Sequence, residues 1–138
     1  MTLERFVSQL ELAAQSQAVR WARRHTRDVL SAWSVPGDHI DATALAVSEL
    51  VTNAVKHAAP PDDEPSPPPA TLTLRHRDTH LIVEVADPDT RPPISEGNSD
   101  PTELGGRGLF IVDTISKEWG YYLPPTGGKV VWCVMALD

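Results

Sequence analysis

The spacing of hydrophobic residues along the chain predicts five strands and three helices. We expect strands where apolar and polar residues alternate, and helices where apolar residues recur at the spacing of a helical turn. The strands are predicted at 6–12, as a short edge strand, and at 70–78, 80–87, 118–123 and 128–137. The helices are predicted at 16–33, from Asp38 or Asp41 to about Ala59, and at 107–117. The element order is therefore β-α-α-β-β-α-β-β.

This order predicts how the elements pack. Most strands come in neighbouring pairs, which favours hairpins, and the helices lie between the pairs. We expect an α/β two-layer sandwich, with a mostly antiparallel mixed sheet and helices on one face. Two proline-rich segments, 60–69 and 88–104, are predicted to be loops because proline suits neither a helix interior nor a central strand. Residues 1–138 are expected to form a single domain, since 60–69 is too short to separate two.

Composition and charge narrow the classes of partner. The net charge is −7, from 12 Lys and Arg residues and 19 Asp and Glu residues, which argues against nucleic-acid binding by phosphate neutralisation. No apolar stretch reaches the roughly 20 residues of a membrane helix, and the N-terminus lacks the pattern of a signal peptide. We therefore expect no membrane partner and a cytoplasmic protein. Cys133 lies in an apolar run, which predicts a buried, inert thiol.

Basic residues crowd the first predicted helix. They are Arg20, Arg23, Arg24, His25 and Arg27. This cluster has two interpretations, a solvated helix face or a docking surface for an acidic protein partner.

The second predicted helix carries a polar row formed by Glu49, Asn53 and His57. Residues four apart are displaced by only about 40° around a helix, so these side chains share one side. Asn53 offers a neutral oxygen suited to Mg²⁺, and Glu49 is placed to polarise a nearby hydroxyl or water. His57 or Lys56 could reach a phosphate. By itself this row is also typical of a solvated helix face.

Two further features have candidate chemistry. Gly105, Gly106 and Gly108 precede a helical pattern, where glycines let backbone N–H groups approach phosphate oxygens or simply form a turn. No buried strand precedes them, which excludes a Rossmann fingerprint, and no Gly-Lys-Ser/Thr ending is present, which excludes a Walker A loop. Asp87 ends a predicted strand, where it could accept a hydrogen bond from adenine N6 or form a turn before Pro88.

In combination and in this order, these features resemble the Bergerat ATP-binding fold of gyrase, Hsp90, histidine kinases and MutL. The closer resemblance is to its small single-domain branch, the anti-sigma-factor serine kinases that phosphorylate anti-anti-sigma partners. The segments that carry the resemblance are ELVTNAVKHA (49–58), VEVADPD (83–89), GGRGLFIVDTIS (105–116) and GGKVVWCVM (127–135).

The resemblance implies a role for each matching residue, with ATP and Mg²⁺ as cofactors. Glu49 corresponds to the general base, Asn53 to the Mg²⁺ ligand and Asp87 to the carboxylate that recognises adenine. Residues 90–104 correspond to the ATP lid. The nucleotide-binding residues expected on this basis are Asn53, Lys56, His57, Asp87, Gly105, Gly106, Arg107, Gly108, Leu109 and Thr126.

The chain departs from the family pattern at two places. Asp87 is followed by PDTRPP, where the family usually has Asp-x-Gly-x-Gly. The last strand often has a threonine after its glycines, and that residue supports the adenine-binding aspartate. Here Lys129 and Val130 follow Gly128, and Thr126 is the candidate substitute.

The resemblance implies a serine/threonine kinase that phosphorylates an anti-anti-sigma-type protein, inhibits a sigma factor, or does both. The alternative is a non-catalytic module that sequesters a regulatory protein in an ATP-dependent way. Residues 6–33 are the candidate surface for a partner or a homodimer. A fragment of a histidine sensor kinase is disfavoured, because residues 1–40 are too short for its dimerisation helices.

Overall fold

A computed structural model of the protein describes residues 4–13, 15–58, 69–93 and 104–137. The described residues form five strands and three helices in the predicted order. The strands are β1 (Glu4–Leu12), β2 (Ala70–Arg77), β3 (His80–Asp87), β4 (Glu118–Tyr122) and β5 (Lys129–Ala136). The helices are α1 (Ala18–Ala32), α2 (Gly37–Ala58) and α3 (Leu104–Ile115).

The five strands form one sheet in the order β1-β2-β3-β5-β4. All four pairings between these described strands are antiparallel, and β2–β3 and β4–β5 are the predicted hairpins. β1 lies at one edge, as its short alternating pattern predicts. β5 lies between β3 and β4, so the ends of β3 and β5 meet near the centre of the sheet.

The helices cover one face of the sheet. The register aligns Leu74, Val83 and Cys133 across β2, β3 and β5, and all three side chains are buried. α2 packs against α1, α3 and β3, with its apolar side in the core. The opposite face carries the Arg75–Glu84 ion pair, with its N and O atoms 2.8 Å apart. The predicted two-layer sandwich is confirmed.

Burial of Cys133 raises the pKa of its thiol to about 12. The predicted burial of this thiol is confirmed, and the raised pKa disfavours the thiolate, which is the reactive form of a cysteine. No helix in the described part of the chain is long and apolar enough to cross a membrane.

Some predicted boundaries differ from the structure. α3 begins at Leu104 and not at 107, so the glycines fall inside the helix and not in a turn before it. Glycine is a poor helix former, which is why the sequence pattern placed the start too late. Most of the predicted proline-rich loop (60–69) and most of the predicted lid (90–104) lie outside the described residues.

Candidate functional site

Asn53 lies on α2 at the margin of the core. It is 8% exposed, and its Oδ1 atom accepts no hydrogen bond from the described residues. Leaving a buried polar atom unsatisfied costs about 1–3 kcal/mol, so such an atom is a candidate ligand contact. A neutral amide oxygen with a free lone pair fits the preference of Mg²⁺ for oxygen ligands.

Glu49 lies one helical turn before Asn53 on the same side of α2. Its side chain is half-buried, and burial raises its pKa above the ordinary value of 4.5. Burial disfavours the ionised form, which makes the carboxylate a stronger base when it is ionised. This suits a general base, which must take a proton from a hydroxyl group.

Lys56 and His57 lie in the last turn of α2, which continues to Ala58. The helix therefore includes all three positions of the predicted polar row. The side chains of both residues lie outside the described part of the structure.

Asp87 is the last residue of β3, and Lys129 opposes it directly across the sheet in β5. The Lys129 ammonium donates to Asp87 Oδ1 at 3.3 Å and to the Asp89 carbonyl at 3.1 Å. The backbone N–H of Asp89 donates to the same Oδ1 at 2.8 Å. Both side chains of the Asp87–Lys129 pair are 1% exposed, so this ion pair is shielded from solvent.

Asp87 Oδ2, unlike Oδ1, accepts no hydrogen bond from the described residues. Oδ2 lies 3.1 Å from Lys129 Nζ, which is an ion-pair distance. The geometry there is not that of a hydrogen bond. One oxygen of the carboxylate is thus fixed in place while the other keeps its acceptor capacity, as recognition of an exocyclic amine requires.

The structure places Lys129 in contact with Asp87. Thr126 lies exposed in the β4–β5 turn and lines, with Asp87, a shallow depression of about 270 Å³. The alternation of residues in β5 indicates that Lys129 needs a buried partner. It occupies the inward register of β5, shared with Val131 and Cys133, where a lysine needs a buried counter-ion.

Gly128 allows the close approach of β5 to the end of β3. Its φ is +70°, and a Cβ atom there would overlap the carbonyl oxygen of Asp87 and lie 3.2 Å from Pro88 Cα. Gly127 has a φ of +101° but open space around it. Gly128 is therefore required both by its backbone conformation and by the available space.

The first turn of α3 contains Gly105 and Gly106, and Gly108 lies one turn further on. The first N–H groups of a helix have no partner within the helix and favour anions. Leu109 is 1% exposed and packs in the hydrophobic core. The side chain of Arg107 lies outside the described residues. Since α3 packs against α2, this turn is anchored to the helix that carries Asn53.

Replacement of the two turn glycines tests the geometry at Asp87. We expect Gly127→Ala to lower the free energy of unfolding by about 1–2 kcal/mol, from its positive φ alone. Gly128→Ala is expected to cost at least about 1 kcal/mol more, because the new methyl group also overlaps Asp87. Urea unfolding of both variants measures the difference. Equal losses would contradict the close approach of β5 to Asp87.

Known proteins resemble this chain in sequence and in fold. A protein-family profile described as "Histidine kinase-like ATPase domain" matches residues 12–135. An uncharacterised protein of Streptomyces coelicolor is 38% identical over 72 residues, which is 51% of this chain and 67% of that protein.

Two solved structures share the fold. One contains the RsbU and RsbW domains of a Mycobacterium tuberculosis protein, with a TM-score of 0.72 and 19% identity over 96% of this chain. This chain spans about a third (32%) of that one. The other is the SiaB–SiaC complex of Pseudomonas aeruginosa, with a TM-score of 0.64 and 17% identity over 94% of this chain and 89% of that one. The fold predicted from the sequence motifs is confirmed.

Proposed function

Because the chain belongs to the histidine kinase-like ATPase domain family, we propose that it binds ATP with Mg²⁺ and phosphorylates a serine or threonine of a small regulatory protein. One observation carries this proposal. Asn53 and Asp87 each present a buried oxygen that accepts no hydrogen bond from the described residues. These two oxygens belong to the side chains expected to meet the metal and the base of the nucleotide.

In the proposed site, three elements contact different parts of the nucleotide. Asn53 Oδ1 on α2 holds Mg²⁺, Asp87 at the end of β3 accepts the exocyclic amine of adenine, and backbone N–H groups of Gly105 and Gly106 face the phosphates. When bound, Mg²⁺ neutralises negative charge on the phosphate oxygens. The other residues proposed to line this site are Lys56, His57, Arg107, Gly108, Leu109, Thr126 and the lid at 90–104.

Glu49 is proposed to act on the protein substrate. Its carboxylate takes the proton of the substrate hydroxyl as that oxygen bonds to the γ-phosphorus. The bond between the γ-phosphorus and the bridging oxygen breaks, and ADP leaves. A half-buried carboxylate with a raised pKa suits this step better than a fully solvated one.

The proposed substrate is an anti-anti-sigma-type protein, and inhibition of a sigma factor is proposed as an accompanying role. The Pseudomonas neighbour was solved in complex with a second protein, which supports a protein partner here. The proposed location is the cytoplasm, where ATP and such regulators occur together.

Residues 6–33 are the proposed surface for a partner or a second copy of the chain. α1 exposes Arg20, Arg23 and Arg24 in a chain whose net charge is −7, which suits an acidic partner. A groove of about 450 Å³ runs between β1 and α1, and its lining includes Trp21, which is 56% exposed. This surface also supports the alternative function, ATP-dependent sequestration of a regulatory protein without phosphoryl transfer.

Phosphoryl transfer by a Glu49 variant tests the kinase proposal. The purified chain is incubated with Mg²⁺, ATP labelled on the γ-phosphate and candidate anti-anti-sigma proteins. We expect Glu49→Gln to reduce transfer at least about 100-fold, because a positioned base contributes that much or more. Glu118→Gln, which alters an exposed glutamate on β4, is the matched control and should keep full activity.

Label transfer that survives Glu49→Gln would contradict the role given to Glu49. Tight ATP binding without transfer to any candidate would favour the sequestering module. A chain that binds no nucleotide at all would contradict both functions.

The raised pKa of Glu49 predicts two opposite pH effects. Transfer should fall as the pH drops through this pKa, at a higher pH than for a solvated glutamate, because a general base must be ionised. Ionisation of Glu49 should lower the stability of the folded state, because burial disfavours the charged carboxylate. Glu49→Gln should therefore raise the melting temperature at neutral pH, and this gain should vanish below pH 4.5. A gain that persists at low pH would contradict this account.

A further inference from the structure

Lys129 is a buried cation to which the family resemblance gives no role. It is the largest of the fully buried side chains in the described part of the chain. Its ammonium group donates to Asp87 Oδ1 and to the Asp89 carbonyl, and it lies 3.1 Å from Asp87 Oδ2. All these contacts are with the end of β3 and the turn that follows it. Lys129 therefore acts on the residue proposed to meet the base of the nucleotide.

Stability alone does not account for this pair. Replacing a buried ion pair with apolar residues of similar volume is often neutral or stabilising. A structural aspartate would also have its hydrogen-bonding capacity filled, whereas Asp87 Oδ2 accepts no hydrogen bond from the described residues. The pair leaves one acceptor open and holds the other, which is an arrangement for orienting a carboxylate toward a ligand.

We propose that Lys129 is a positioning residue that makes the site selective for 6-aminopurine nucleotides over 6-oxopurine nucleotides. The proposal rests on the proposed function, since it requires that Asp87 meets the base. As the counter-ion of Asp87, Lys129 holds the carboxylate in one orientation, with Oδ2 placed to accept a hydrogen bond. A 6-aminopurine presents an N–H donor at that position. A 6-oxopurine presents a carbonyl oxygen, which leaves two acceptors facing each other without a proton between them.

Asp89, which follows Asp87 by two residues, forms a separate ion pair with Arg91. Arg91 donates to both carboxylate oxygens of Asp89, which lowers the pKa of Asp89 to about 2. The Asp89 carboxylate is thus paired with Arg91, and Lys129 donates only to the backbone carbonyl oxygen of Asp89. The positive charge of Lys129 is therefore balanced by the carboxylate of Asp87. In this chain, the Asp89–Arg91 ion pair stands at the two positions where the family usually has glycines after the aspartate.

The test compares ATP with inosine triphosphate, which carries a carbonyl oxygen at C6 in place of the amino group and a hydrogen on N1. Calorimetric titration of the full chain in Mg²⁺ gives both dissociation constants. We expect the chain to bind ATP at least about 100-fold more tightly, because a site built for a hydrogen-bond donor strongly rejects an analogue that lacks it.

Lys129→Met should reduce this selectivity at least about tenfold. The side chain keeps its length but loses its charge and its N–H donors, so the Asp87 carboxylate is no longer held in one orientation. Binding of ATP therefore weakens, while binding of inosine triphosphate, which gains nothing from that orientation, changes less. Lys129→Arg, which keeps the cation, should retain selectivity within a few-fold. If the Met variant does not fold, Lys129→Gln takes its place.

A double-mutant comparison separates positioning from a general structural effect. In an Asp87→Asn background, Lys129→Met should change the ratio of the two dissociation constants less than about twofold, because Lys129 acts through the carboxylate. ATP selectivity that survives Lys129→Met and Lys129→Gln would overturn the proposal while leaving the proposed function intact. Equal binding of both nucleotides by the unaltered chain would also overturn it. Absence of any nucleotide binding would overturn the proposed function as well.

Discussion

The register between β3 and β5 is the constraint on which the rest of the candidate site depends. It places Asp87 opposite Lys129 and Val83 opposite Cys133, on the face that the helices cover. A slip of β5 by one residue would turn all of its side chains to the other face of the sheet. It would expose Lys129 and Cys133 and leave Asp87 buried without its counter-ion. Gly128 makes this register possible at the strand end, because only glycine leaves room beside the Asp87 carbonyl.

α2 links this sheet to the candidate chemistry. Its buried residues, including Val47, Leu50 and Val51, pack in the core and fix the helix in position. The positions of Glu49 and Asn53 are fixed as a result, since both residues lie on this helix at the margin of the core. The Asn53 oxygen accepts no hydrogen bond from the described residues, and Glu49 is partly buried. Both features cost stability, and the core packing offsets that cost. The core therefore fixes the positions of the polar side chains that would contact ATP.

Much of the fold could be predicted from hydrophobic periodicity. The edge position of β1 and the two hairpins follow from local patterns, and the structure confirms them. The start of α3 was predicted three residues late, because glycines disfavour helices locally and only packing against α2 overrides this. The contact between Lys129 and Asp87 could not be read from spacing, since it depends on which two strand ends meet. Thr126, suggested by its position beside Gly127, stays a prediction.

Nucleotide-dependent stability tests the central claim most directly, that Asn53 and Asp87 hold ATP with Mg²⁺. ATP at 100 times its dissociation constant should add about 2.7 kcal/mol to the free energy of unfolding. Asn53→Ala should remove the part that requires Mg²⁺. Thr52→Ala, which alters the exposed neighbouring residue on α2, should leave that part unchanged. If neither ATP nor ADP stabilises the chain in the presence of Mg²⁺, the account of this site is wrong.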